Sequence, residues 1–528
     1  MIASSLSPDA GIGKPRRFRA FWSGDVFPLI VVFASLMMTF IYFEERLAGW
    51  NANTRIALTY AIVEQGTFSI DRYHEVRCLQ TGDKAYYDGH FYCDKSPGLS
   101  FLGVPTYWVL WTLKTRFGFL ADKPNYTWVF WSRYIVRMST VSIAAALLGA
   151  LAFAMARRCG LSRRMAFPIG IGLLLGTFLF GYSTMFYSYL PACFFSLASY
   201  ALIFFSRNPR AGIESPEERD LSHGSRLFWS GFLLGLGWLC EYTVGLLGIG
   251  LGFYTLWTVR RRWWTLWKYI VGGLISVVVF YSYTYAVFGE FSIPYKYEYD
   301  NYFRTEMAKG FQGIHLPRFR ILLYITFHPF KGLFFYCPFL LLWFPALGAC
   351  FRDTRLRRFR PDLILSIYII TSYFLLNSGY YMWWGGWAAG PRMLCPAIPF
   401  FLIPIVLYMR TPAKWLRIAF GALLAISLYW HLVITSVTPQ APTGSNDDKL
   451  RAGDISEMPK GVIIEVLHKG FYENLEEYST FTNIPRLCGI KGLPSLIPIL
   501  VFWALMAAWV VWGRQWDDSH LPPNPAGP

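Results

Sequence analysis

The stretch GLSFLGVPTYWVLWTL, residues 98–113, decides how the chain threads. It is apolar, yet it runs for only about 16 residues against the 17 to 25 of a spanning helix, and it carries Gly103 and Pro105. If it crossed, Arg157, Arg158, Arg163 and Arg164 would lie outside, and every later basic cluster would be inverted with them. If it dips or lies on the surface, the clusters all become cytoplasmic: Arg207 to Arg226, Arg260 to Lys268, Arg352 to Arg360, Arg410 to Arg417, and Arg514. Cytoplasmic loops carry the excess of Lys and Arg, so the second threading is predicted.

The composition supports this membrane reading. The 528 residues are 54% hydrophobic and 15% charged, against roughly 25% charged in a soluble domain, which excludes a soluble protein. The net charge of +17 sits in small clusters beside apolar runs, so it carries topology and not a nucleic-acid footprint. Spanning segments must satisfy their backbone internally, which makes the fold an all-α polytopic bundle of about 12 transmembrane helices.

The predicted spans are 27–43, 129–155, 165–182, 186–205, 227–240, 243–257, 268–288, 332–350, 362–378, 394–409, 415–437 and 493–512. The first follows Lys14, Arg16, Arg17 and Arg19 and lacks a small-residue cleavage site before Trp50, as an uncleaved signal anchor would. One domain, 27–512, lies between a cytoplasmic N-terminal tail, 1–26, and a cytoplasmic Pro-rich tail, 513–528. Residues 227–257 are read as two helices meeting at Cys240, Glu241 and Tyr242, because one long helix would break the alternation of basic loops. Four segments then lie outside: 44–128, 289–331, 379–393 and 438–492.

Most of the chemically capable residues fall in these segments. Asn53 to Gln65 has helical spacing with Arg55 near one face and Gly66 as its stop, suiting an interfacial helix. Asp71, Asp83, Asp88 and Asp94 follow, interleaved with Lys84 and Lys95. An ionised Asp can take a proton from a hydroxyl while Lys or Arg binds a departing phosphate. Taken singly each Asp reads as a solvated loop charge, but Asp94-Lys95-Ser96-Pro97-Gly98 joins charge, turn and helix start.

The string YYMWWGGWAAGPRM from Tyr380 is the most specific. Gly385, Gly386 and Gly390 allow positive φ and close backbone approach, while Trp383, Trp384 and Trp387 offer stacking faces beside Arg392. An aromatic interface belt with a snorkelling Arg would explain the tryptophans but not the glycines. In 289–331, Tyr295, Tyr297, Glu298, Tyr299 and Asp300 read as a substrate-contacting loop. No cofactor is assigned, although Glu298 and Asp300 leave a divalent metal open. His315, His328 and His431 are isolated and read as packing residues, and Cys78 and Cys93 bracket Asp83 in a spacing open to a disulfide.

These strings resemble a family, the polyprenyl-phosphate-dependent glycosyltransferases of the GT-C fold, especially bacterial members related to protein mannosyltransferases and aminoarabinose transferases. The likeness covers Asn51 to Ile499. Gly89-His90-Phe91-Tyr92-Cys93-Asp94-Lys95-Ser96-Pro97 is similar to the family's glycine-aromatic-acid-Lys-Pro string, which implies a phosphate role for Lys95 and a neighbouring acidic one for Asp94. Trp383-Trp384-Gly385-Gly386 with Gly390-Pro391-Arg392, Asn51 to Arg55, and Thr81 to Ala85 resemble a signature of bacterial members. The better-known relatives carry an Asp-Glu pair shortly before the Arg of the first loop, where this chain has Ala52, Asn53 and Thr54.

The resemblance implies a GT-C-like membrane enzyme of the plasma (bacterial inner) membrane. It would transfer a sugar from a polyprenyl-phosphate donor to a glycan, lipid or protein acceptor outside the cytoplasm. Asp83 is the first choice of base, then Asp71, with Asp94 the third acid of the site. Lys95, Arg392 and Arg55 would hold the donor phosphate, and Trp383, Trp384, Tyr297, Glu298 and Glu241 the substrate. A transporter or flippase of lipid-linked sugars would share the composition, but such proteins commonly place ionisable groups within spans or show inverted repeats. A catalytically inactive GT-C-like protein is the other alternative, given the missing acid pair.

Overall fold

The computed structural model describes residues 25–46, 48–117, 125–208, 225–411, 413–441, 447–455, 467–473, 475 and 479–517. Most of both expected tails falls outside these residues, as do much of the Arg207 to Arg226 cluster and parts of the segments 44–128 and 438–492.

The chain is an all-α integral membrane protein. Among the described residues seven helices are long and apolar enough to cross a membrane: Tyr126–Arg158, Tyr189–Arg207, Arg260–Phe288, Thr354–Gly379, Arg392–Met409, Lys414–Val437 and Leu493–Trp512. Four shorter apolar helices accompany them, Val26–Tyr42, Arg226–Cys240, Val244–Thr258 and Pro338–Arg352. Each of the twelve predicted segments falls on helix, but the count of twelve crossings is not reached by length and composition. The segment 165–182 shows one reason, for its helix Arg163–Leu175 stops at Gly176 and a short turn, Leu179–Ser183, follows.

Ion pairs fix which helix ends lie together. Asp25, before Val26–Tyr42, meets Arg157 at 3.0 Å and Arg163 at 3.4 Å. Arg207 reaches Asp362 at 3.0 Å and the Arg358 carbonyl at 3.1 Å. The basic ends therefore share one end of the bundle. At the other end Arg137, within Tyr126–Arg158, meets Glu44 at 2.7 Å, and Ser188 donates to Glu241 at 3.0 Å. This second end gathers the long loops.

Gly98–Arg116 stays at the loop end. Gly98 lies so close to the Leu239 carbonyl that a Cβ would sit 2.4 Å from that oxygen. At the far end of the helix the Lys114 ammonium lies 4.5 Å from the Trp128 ring centroid, and the Tyr107 hydroxyl donates to Glu64 at 2.5 Å. Trp50–Gln65 runs beside it in the same direction, with the Thr59 hydroxyl donating to the Ser100 carbonyl at 3.1 Å, and ends at Gly66 with φ +66°. Contrary to the interfacial expectation, Ala52 through Ala61 are all buried, because Gly98–Arg116 and the rest of the first loop wrap this helix.

Strands are few. We label Phe43–Glu45 β1, Ala85–Tyr87 β2, His90–Tyr92 β3 and Phe481–Asn483 β4. β2 and β3 form a hairpin over Asp88 and Gly89, both at positive φ, the geometry of a two-residue hairpin turn. β1 pairs antiparallel with β4.

Candidate active site

A cleft at the loop end collects residues from five separate parts of the chain. Asn51, Arg55, Asp83 and Lys95 come from the first loop, and Tyr189, Glu241 and Thr243 from helix ends. Tyr295 and Glu298 come from the second loop, and Tyr380, Tyr381, Gly385 and Arg392 from the tryptophan loop. Its non-atom space, open solvent included, is about 790 Å³.

Local structure explains each placement. The β2–β3 hairpin turns the chain so that Asp83, before it, and Lys95, after it, meet at 3.3 Å. The Tyr299 N–H donates to the Lys84 carbonyl at 2.9 Å, which docks the second loop on the hairpin and brings Glu298 against Asp94. Helix Arg226–Cys240 breaks at Glu241, whose extended backbone places the carboxylate at the cleft. Arg55 donates to Asn51 Oδ1 at 3.1 Å and to the Ser96 carbonyl at 2.7 Å. Its guanidinium is thereby held at the wall.

The tryptophan loop depends on its glycines. Gly385 and Gly386 adopt φ of +70° and +65°, and a Cβ on Gly385 would sit 3.0 Å from Arg392 Cγ. Beneath them the buried Lys331 donates to the Gly386 carbonyl at 3.3 Å and the Ala388 carbonyl at 2.5 Å. Burial, and then the nearby Arg392 charge, holds the Lys331 ammonium well below its usual range. Arg392 has a buried Nε with no partner, which leaves this guanidinium able to take an anion.

Electrostatically the cleft is crowded. Three carboxylates, Asp83, Asp94 and Glu298, surround the single Lys95 ammonium. Burial opposes the Lys95 charge, but Asp83 and then Asp94 hold it well above its ordinary value. Burial raises Asp94, with Asp83 adding to the rise and Lys95 opposing it. Burial also raises Glu298, and neighbouring Asp94 pushes it further.

Of the acids predicted for catalysis, Asp83 alone lines the cleft. Asp94 lies directly behind it, 0% exposed and bonded to Lys95. Asp71 is elsewhere: its carboxylate accepts from the Phe91 N–H at 2.7 Å and pairs with His90 at 2.6 Å, latching the hairpin. Those bonds and the Ser69 hydroxyl outweigh burial and hold Asp71 below its usual value. Lys95, Arg55 and Arg392 converge as expected, as do Glu298 and Glu241.

Three substrate contacts are corrected. Trp383 and Trp384 are 0% and 1% exposed, packed with Ile321, Ile325, Phe330 and Leu450, and Trp383 Nε1 donates to the Leu450 carbonyl at 2.7 Å. They anchor the loop and present no stacking face. Tyr297 stacks on Phe288 at 4.4 Å and bonds to Glu290, outside the cleft. Asp300 caps Asn301–Met307 through Tyr302 N at 2.8 Å, so it does not converge with Glu298 on a metal. Cys78 and Cys93 are free thiols, Cys93 being turned towards the Lys95 carbonyl at 3.9 Å.

Sequence reasoning missed Tyr189, Tyr380 and Tyr381 at the cleft, and Glu44 and Glu45 behind it. Glu45 bonds Gln440, which in turn accepts from the Tyr187 hydroxyl at 3.3 Å, while Glu45 Oε2 has no partner. Two consecutive acids directly after an apolar run were the available signal.

The fold and site define a polytopic helical membrane protein with a charged, aromatic-rimmed cleft at its loop end. Among solved structures the chain is similar to ArnT from Cupriavidus metallidurans in the apo state, with 14% identity and a TM-score of 0.46 over 78% of this chain and 62% of that one. It is also similar to the archaeal oligosaccharyltransferase AglB from Archaeoglobus fulgidus in complex with an inhibitory peptide and a dolichol-phosphate. That match has 10% identity and a TM-score of 0.43, covering 84% of this chain and 61% of that chain. The apo form of the Archaeoglobus fulgidus oligosaccharyltransferase matches at 11% identity and a TM-score of 0.44, over 88% and 61%. The chain thus spans about three fifths of the length of the structures it matches. No protein-family model matches it, and no curated protein does.

Proposed function

We propose that this protein is a GT-C-like glycosyltransferase moving a sugar from a polyprenyl-phosphate donor to a glycan, lipid or protein acceptor on the non-cytoplasmic face of the plasma (bacterial inner) membrane. The observation that carries the reading is the meeting of Asp83 and Lys95 at 3.3 Å in a cleft that Arg55 and Arg392 also line. The sidedness is supported by the grouping of basic helix ends at the opposite end of the bundle.

In this mechanism the donor phosphate lies against Arg392, Arg55 and Lys95, and Asp83 faces the acceptor hydroxyl. The hydroxyl oxygen attacks the anomeric carbon and its proton passes to Asp83. The bond from that carbon to the phosphate oxygen breaks, and the electron pair leaves with the lipid phosphate, whose growing charge the cations stabilise. Attack opposite the leaving group inverts the anomeric centre. The transporter reading has less support, because Asp83, Asp94 and Glu298 sit in loops and not within spans.

The test is incubation of purified protein with a panel of polyprenyl-phosphate sugars and acceptors, scoring release of lipid phosphate. Release with at least one donor, lost in Asp83→Asn, is expected. Binding and transbilayer movement of a donor without any release would replace the enzyme reading with the transporter one.

A further inference from the structure

Three carboxylates around one ammonium leave an excess of negative charge that burial makes expensive. Asp83 is exposed to the cleft, with 17% of its side chain accessible, and its Oδ2 meets Lys95. Asp94 also pairs with Lys95 but is sealed from solvent. Glu298 is 2% exposed and stands within hydrogen-bonding reach of Asp94. Among the described residues no cation beyond Lys95 pairs with these three within ion-pair distance.

The unsatisfied atoms show how the excess is relieved. Asp94 Oδ1 and Glu298 Oε1 are both buried and neither has a donor among the described residues. Two ionised carboxylates in contact would leave both oxygens unsatisfied as well as repelling each other. One proton between them removes the repulsion and satisfies both groups. We propose that Glu298 is held as a neutral carboxylic acid that donates its proton to Asp94, and that this shared proton sets the position of Lys95 at the cleft wall.

The assignment of the proton to Glu298 follows from the neighbours. Asp94 is gripped by the Lys95 ammonium, which favours its ionised form. Glu298 faces Asp94, Lys95 and Asp83 of the first loop, and Tyr295 of its own segment lies near Lys95. Across the cleft stand Arg55, Glu241, Tyr189, Tyr380, Tyr381 and Arg392. None of these bonds Glu298 directly. Asp94 then keeps one oxygen for Lys95 and one for the Glu298 proton, while Asp83 is left as the carboxylate open to the cleft. Glu298 is a positioning residue in the proposed reaction, acting on Lys95 through Asp94.

Infrared spectroscopy of the purified full-length protein tests this without any substrate. At neutral pH the wild type should show the carbonyl stretch of a protonated carboxylic acid that disappears in Glu298→Gln and survives in Glu45→Gln. Raising the pH should abolish the same band. A wild-type spectrum unchanged by Glu298→Gln would overturn the proposal. Where Glu298→Gln does not insert, protein labelled with carboxyl-¹³C glutamate assigns the band to a glutamate. Asp94→Asn should then shift it, since Glu44 and Glu45 do not touch Asp94, and an unshifted band counts against the shared proton. The role in positioning rests on the proposed transfer: wild-type turnover should fall as Glu298 ionises, and Glu298→Gln should lose that alkaline limb. Absence of any turnover with the band intact would refute the transferase reading and leave the protonation assignment standing.

Discussion

Asp94 and Asp362 are both 0% exposed, one at each end of the same bundle, and they are solved by their surroundings in opposite ways. Asp362 is fully satisfied: Oδ1 accepts from Tyr200 at 2.8 Å and Tyr254 at 2.6 Å, and Oδ2 meets Arg207 at 3.0 Å. Asp94 has one oxygen on Lys95, one with no donor among the described residues, and two further carboxylates for neighbours. A completed network of this kind ties helices together, whereas an incomplete one beside a cleft retains capacity for a ligand or a proton. The contrast separates the end whose buried acid is fully paired from the end whose buried acid is not.

The strongest way to break the contrast is to attack the cleft. Asp83→Asn should lower lipid-phosphate release by roughly 10² to 10⁴-fold, the usual contribution of a general base, with insertion and melting unchanged. Near-normal turnover would remove Asp83 from its role. At the other end, Asp362→Ala leaves Arg207, Tyr200 and Tyr254 without their common acceptor. It should lower stability by about 3 to 5 kcal/mol in denaturant or thermal unfolding in detergent, with donor affinity retained by the folded fraction. Unaltered melting would show that the network contributes nothing.

Arg392→Ala should weaken donor binding by about tenfold or more, the scale of a charge-assisted contact, measured by titration with a polyprenyl-phosphate sugar. An unchanged affinity would move the phosphate to Lys95 and Arg55. A further effect, read through pH alone, concerns Glu45, which burial raises to about 8 against the opposing pull of Arg133. The folded state therefore favours the protonated form, and the contribution is lost as pH rises from the ordinary glutamate range through about 8. Melting temperature should fall over that interval, and Glu45→Gln should flatten the fall.

Local signals were read well where local physics decides the structure. The Gly66 stop, the break at Glu241 and the positive φ of Gly385, Gly386 and Gly390 all follow from backbone preference within a few residues. Residue types were also enough to nominate Asp83, Lys95, Arg55, Arg392, Glu298 and Glu241, which the fold brings to one cleft. What failed was burial. Trp383 and Trp384 have the composition of a stacking wall, yet Ile321, Ile325 and Leu450 cover them from segments far away in the chain. The same holds for Asp94, whose neighbour Glu298 is delivered by a bridge between two loops, and for Asp71, whose partner His90 depends on the hairpin register. Long-range pairing of this sort leaves no periodicity to read.

The β1–β4 pairing bears on how the protein is made. β1 follows the first apolar helix and β4 precedes the last, and Glu45 takes its bond from Gln440, 395 residues further along the chain. During synthesis Glu44 can meet Arg133 and Arg137 once the helix Tyr126–Arg158 is made, whereas Glu45 has to await Gln440, and β1 its partner strand. A nascent chain stalled before residue 481 has inserted most of its helices but lacks the strand that closes over the first acids. The seam behind the cleft is therefore closed by one of the later segments of the membrane domain, after most of the helices around it are in place.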